Sequence, residues 1–129
     1  MANILIVEDD PRTGATVAAL LRCRGYDTRV ETNGAAALLA AHEDMPDLIV
    51  MDLVMPILDG HEAIEALRHN QNTAHIPIIV ISGHDDDRTM ADALVAGANV
   101  FLTTPLDPAE LVTMVGRLLA LQPKKPPAP

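Results

Sequence analysis

Aliphatic residues fall along this chain in two alternating rhythms. Five short runs read as β-strands: "NILIVE" (3–8), "DTRVE" (27–31), "DLIVMD" (47–52), "IPIIVIS" (76–82) and "NVFLT" (99–103). The first, third and fourth are nearly unbroken, as expected of strands covered on both faces in a parallel sheet. "DTRVE" alternates instead, which places it at a sheet edge. The segments between follow helical spacing. Residues 11–23 begin with Pro11, carry Val17, Leu20 and Leu21, and stop at Gly25. Residues 34–43 are alanine-rich, with Leu38 and Leu39. Residues 60–69 put Ile64 and Leu67 on one face. Residues 86–96 offer Met90, Leu94 and Val95 as an apolar face, with Gly97 as a stop. The last helix opens with Asp107 as N-cap, Pro108 and Glu110, and its stripe is Leu111, Val115, Leu118 and Leu119.

Five βα units in succession predict an α/β fold, a five-stranded parallel sheet doubly wound by helices on both faces. One domain over 1–121 accounts for every periodic segment. Residues 122–129, "QPKKPPAP", have no apolar face and read as a flexible tail or the stub of a linker.

Charge narrows the function classes. Nine Lys and Arg stand against 18 Asp and Glu, a formal net charge of -9. Direct nucleic-acid binding rests on cationic side chains and is not expected here. Such an excess of carboxylates also simply keeps a small protein soluble. Cys23 is the single cysteine, so no internal disulfide can form, and a reducing, cytoplasmic setting is expected. At a helix end it reads as a small apolar filler. No apolar run reaches the roughly 18 residues of a membrane span.

In an open parallel sheet, ligands gather beyond the carboxyl ends of the strands. Glu8, Asp9 and Asp10 follow the first strand, Asp52 ends the third, Ser82, Gly83 and His84 follow the fourth, and Thr103, Thr104 and Pro105 follow the fifth. Glu31, Thr32 and Asn33, after the second, read as turn and cap residues. An acid at the end of a buried strand is an N-cap, an ion-pair partner or a functional group. The helix after Asp52 starts only near Asp59 and Gly60, so Asp59 takes the capping role. Acids from two loops, with no basic residue before Arg12, suggest a hard divalent cation. Mg²⁺ needs only one or two carboxylates beside its waters.

The order "ILIVEDDP", "DLIVMDLVMPILDG", "IPIIVISG" and "VFLTTPLDP" resembles the receiver domain of two-component response regulators, over residues 2–121. The resemblance implies a flavodoxin-like receiver fold and a switch controlled by phosphorylation. Asp52 would accept a phosphoryl group from a sensor histidine kinase or a histidine phosphotransfer protein. Glu8, Asp9, Asp52 and the backbone carbonyl of Val54 would hold Mg²⁺, with Glu8 acting through water. Ser82 would bond a phosphoryl oxygen, and Phe101 matches the family's aromatic switch position. Asp10, one past the paired acids, would cap the helix or face water. Residues 86–121 would form the face where an output partner or a second copy docks.

One position departs from the family. A lysine precedes the proline after its fifth strand, and this chain has Thr104 there; its only lysines are Lys124 and Lys125. A neutral hydroxyl bonds about half as strongly as a charged donor. Slower phosphorylation, looser coupling to the switch, or a degenerate receiver that works purely as a protein-binding module would each follow. His84 is an auxiliary candidate for the phosphoryl group, against its reading as a solvated loop residue. Arg88 is expected to pair with Asp85, Asp86 and Asp87, while His42, His61, His69 and His75 read as surface or loop residues. A haloacid-dehalogenase-type phosphatase would want a second Asp at Val54. A flavin binder would want more aromatics than Tyr26 and Phe101.

Overall fold

A computed structural model describes residues 2–53, 58–83 and 87–121, Asp87 by its backbone alone. Its elements follow the predicted alternation: β1 (Asn3–Val7), α1 (Pro11–Arg22), β2 (Asp27–Glu31), α2 (Gly34–Asp44), β3 (Leu48–Asp52), α3 (Gly60–His69), β4 (Ile78–Ser82), α4 (Asp87–Ala96), β5 (Val100–Thr103) and α5 (Pro108–Ala120). The strands form one parallel sheet in the order β2-β1-β3-β4-β5. "DTRVE" is an edge strand as its alternation implies.

Side chains alternate across a strand, so the aliphatic runs feed two cores. Leu5, Val7, Ile49, Met51, Ile78 and Val80 pack against α2, α3 and α4. Ile4, Ile6, Leu48, Val50, Ile79 and Leu102 pack against α1 and α5 through Val17, Leu21, Leu111 and Val115. Four helices start on the expected caps: Asp10, Asn33, Asp59 and Asp107 each accept a backbone N–H of the first turn, from Arg12, Ala36, Glu62 and Ala109. A cap of this kind contributes about 1 kcal/mol.

Two helices on the first of these faces, α2 and α4, bury small residues, whereas α3 buries Ile64 and Leu67. In α4 Ala93 is buried, while Leu94 and Val95, expected to face inward, are 47% and 88% exposed. In α2 the buried positions are Ala37, Ala40 and Ala41; Leu38 packs at the margin and Leu39 is exposed. Cys23 is exposed and fills no core gap.

Arg68, at the end of α3, has no carboxylate among its hydrogen-bond partners in the described residues. Its guanidinium donates to the carbonyls of Ala74, Ile76 and Gly97 and to Asn99 Oδ1, at 2.6–3.0 Å. Asn99 Oδ1 also accepts Ile78 N–H at 2.8 Å. One half-buried cation thus ties the starts of β4 and β5 to α3. Gly97, at φ 129°, lies so close to Arg68 that a Cβ there would stand 2.6 Å from its Cγ.

Candidate functional site

Parallel register brings the strand ends together. Val7 pairs with Met51, so Glu8 and Asp52, one residue further along each strand, lie side by side. Ser82 pairs with Thr103 across β4 and β5, which sets Thr104 one step beyond the serine. The Thr104 N–H donates to the Ser82 carbonyl at 3.1 Å, and Ser82 itself is buried. The peptide bond from Thr104 to Pro105 is cis.

Carboxylate oxygens of Glu8, Asp9 and Asp52 lie within 4.8 Å of one another. Asp10 is drawn away from them: it caps α1 and also accepts the Thr13 hydroxyl at 3.1 Å. Glu8 is half-buried, and burial first, then its hydrogen bond and like charge with Asp52 and Asp9, push its pKa up to about 8. Its Oε2 is buried without a hydrogen-bond partner. A buried acceptor in that state costs about 1–3 kcal/mol. Crowded carboxylates with an unsatisfied oxygen suit a hard cation with oxygen ligands, and the donor set fits Mg²⁺.

The loop after Asp52 is held at both ends. Gly60 N–H donates to the Leu53 carbonyl at 2.8 Å, and Asp59 caps α3. A Cβ on Gly60 would lie 2.6 Å from Leu53 Cα and 2.7 Å from the Asp52 carbonyl oxygen. A Cβ on Gly34 would overlap the carbonyl of Leu58. Both glycines are therefore required by close backbone approach, which fixes where Asp52 sits.

Between the acids and the hydroxyls lies a cavity of about 150 Å³, lined among others by Glu8, Thr13, Asp52, Ser82 and Thr104. No Lys or Arg lines it among the described residues.

The response regulator receiver domain family model matches residues 4–116. The chain belongs to that family. Protein PilH of Pseudomonas aeruginosa is 32% identical over 120 residues, 93% of this chain and 99% of PilH. The transcriptional regulatory protein PrrA of Mycobacterium tuberculosis is 38% identical over 117 residues, and this receiver spans about half of its length, 49%. Among solved structures, the signal receiver domain of a signal transduction histidine kinase from Syntrophus aciditrophicus superposes with a TM-score of 0.91 at 31% identity, covering 100% of this chain and 98% of that one. The receiver domain of a sensor histidine kinase from Pseudomonas aeruginosa PAO1, with a magnesium ion coordinated in its active site cleft, gives 0.86 at 32% identity, over 92% and 98% of the two chains. The doubly wound flavodoxin-like architecture expected of a receiver is the one observed.

Glu8, Asp9, Asp52, Ser82 and Thr104 all reach the receiver's cleft. Phe101 sits on β5, half-buried against the α2–α4 core. Val54, His84, Asp85 and Asp86 lie outside the described residues, as does the Asp87 side chain. Arg88 stands 4.0 Å from Asp92 on the same helix, a solvent-exposed pair of little energetic weight. His61 departs from its reading as a surface residue: it is half-buried, with Nε2 enclosed and unpartnered. The other three histidines are exposed. Residues that sequence reasoning passed over include Arg68 and the buried Thr73, whose hydroxyl donates to the Leu67 carbonyl at 2.7 Å. Neither carries a motif; both serve backbone groups that become neighbours only in the folded chain. Among the described residues no helix is long and apolar enough to cross a membrane.

Proposed function

We propose that this receiver is a phosphorylation-controlled signalling switch with Asp52 as its phosphoacceptor. The observation that carries the reading is the convergence of Glu8, Asp9 and Asp52 at the ends of β1 and β3. A carboxylate oxygen of Asp52 attacks the phosphorus of a phosphohistidine on a sensor kinase or a phosphotransfer protein. The P–N bond breaks, the imidazole leaves with its electron pair and is protonated, and Asp52 becomes an acyl phosphate. Glu8, Asp9, Asp52 and the Val54 carbonyl are the residues that would hold Mg²⁺, which supplies positive charge against the phosphoryl oxygens. Ser82 donates its hydroxyl to one of those oxygens, and Thr104 offers a second, neutral donor. Phe101, on the strand that leads to Thr104, follows the position of the Ser82 hydroxyl. The exposed Leu94 and Val95 suit the face formed by residues 86–121 to an output partner or a second copy. The setting is cytoplasmic, with residues 122–129 as tail or linker.

Thr104 favours a second reading, a degenerate receiver that binds proteins without efficient phosphorylation. Intact mass after incubation with Mg²⁺ and a small phosphodonor separates the two. One phosphoryl adduct on the parent and none on Asp52→Asn is expected. No adduct, together with no tightening by a beryllium fluoride analogue, would decide for the binding module.

A further inference from the structure

A second cavity lies away from the cleft. It is an open groove of about 560 Å³ between α3 and α4, lined by His61, Glu65, His69, Asp92, Val95 and Ala96. Four of these six carry nitrogen or oxygen donors for a metal, and no Lys or Arg lines the groove among the described residues. His61, Glu65 and His69 follow one another at intervals of four, so they share one face of α3. Asp92 borders the same groove from α4. It is 61% exposed, and its ion pair with Arg88 is long, at 4.0 Å.

The two histidines differ in what they can offer. His69 Nδ1 lies 2.7 Å from the Glu65 carbonyl oxygen. A carbonyl only accepts, so Nδ1 carries the proton and Nε2 keeps a bare lone pair. A backbone carbonyl behind one ring nitrogen is how metal-ligating histidines are commonly oriented. His61 Nε2 is enclosed instead. Eight residues of helix, about 12 Å, also separate it from His69, so the two imidazoles do not share one ion. One imidazole with two carboxylates suits a borderline divalent metal. Zn²⁺ takes three such protein ligands with water in the fourth position. The all-oxygen set of the cleft suits Mg²⁺.

We propose that the groove binds Zn²⁺ through His69 Nε2, Glu65 and Asp92, joining α3 to α4. Among the described residues, Glu8, Asp9 and Asp52 are the one group of three whose donors already stand within 4.8 Å of one another. The groove's three ligands are all exposed, so their side chains rotate freely and close on the ion as it binds.

The test is isothermal titration calorimetry of the full chain with zinc chloride in excess Mg²⁺. One saturable Zn²⁺ per chain is expected, with a higher thermal midpoint for the loaded protein. His69→Ala should weaken binding about tenfold or more, and Asp92→Asn and Glu65→Gln, which keep side-chain size, several-fold each. His61→Gln should bind zinc as the parent does. Asp52→Asn and Cys23→Ser should also match the parent. Loss of binding in Asp52→Asn would assign the ion to the cleft, loss in Cys23→Ser would assign it to the thiol, and either overturns the proposal. So does a parent without saturable binding, or parent-like affinity in both His69→Ala and Asp92→Asn.

Discussion

The two sides of the cleft are built on the same sheet and differ in almost every other respect. The β1–β3 side brings three carboxylates together, and glycine contacts at Gly34 and Gly60 hold the loop behind Asp52. The β4–β5 side presents two hydroxyls, Ser82 buried and Thr104 exposed, joined through a backbone hydrogen bond. The acids gather beside these close backbone contacts, and among the described residues the facing side brings no Lys or Arg into the cavity. The difference teaches that the fold and the charge balance of this site are separable. The receiver architecture is intact although no Lys or Arg lines the cavity among the described residues.

Breaking the acidic side should have the greatest effect. Asp52→Asn removes the proposed nucleophile, and phosphoryl labelling measured by intact mass should fall to background while the far-UV circular dichroism is kept. Gly60→Ala forces a Cβ against the backbone of Leu53 and Asp52. A loss of about 1–3 kcal/mol in urea denaturation is expected, with weakened Mg²⁺ binding because Asp52 is displaced.

A subtler change separates charge from geometry. Glu8 is held protonated in the folded, metal-free protein up to about pH 8, whereas in the unfolded chain it ionises near 4.5. The folded state therefore binds the extra proton between these values, and Glu8's contribution to stability is fully present below 4.5 and lost as pH rises through 8. Urea midpoints in chelator should accordingly fall from pH 5 to pH 8. Glu8→Gln should flatten that slope, and Mg²⁺ should restore stability most at the alkaline end. The smallest effect is expected from equalising the two sides. Thr104→Lys should speed phosphoryl acceptance while leaving the urea midpoint nearly unchanged; an unaltered labelling rate would mean that the missing cation is of no consequence here.

Much of this molecule is legible before folding because its signals are local. Strand runs, the caps Asp10, Asn33, Asp59 and Asp107, and the acids at strand ends each depend on a few neighbouring residues. The edge position of β2 follows from its alternation alone. Errors arise where distance between elements decides. Leu94, Val95 and Leu39 carry the hydrophobicity of their helices, yet alanines occupy the inner face, because the separation of helix and sheet is a tertiary quantity. The cleft's residues could be nominated from strand ends, but the crowding of Glu8 against Asp52 comes from register between β1 and β3. The cavity beneath them has no linear signature at all. Arg68 and His61 show the same limit, since the partners of one and the enclosure of the other come from packing.

Arg68 has a consequence for how the molecule responds to its surroundings. Its guanidinium is anchored to amide dipoles, which neither titrate nor recruit counterions in the way carboxylates do. Acid or salt that neutralises or screens the cleft leaves this opposite end of β4 and β5 clamped to α3. The domain is thereby polarised along its strands, with an ion-responsive rim at one end and an indifferent hinge-pin at the other.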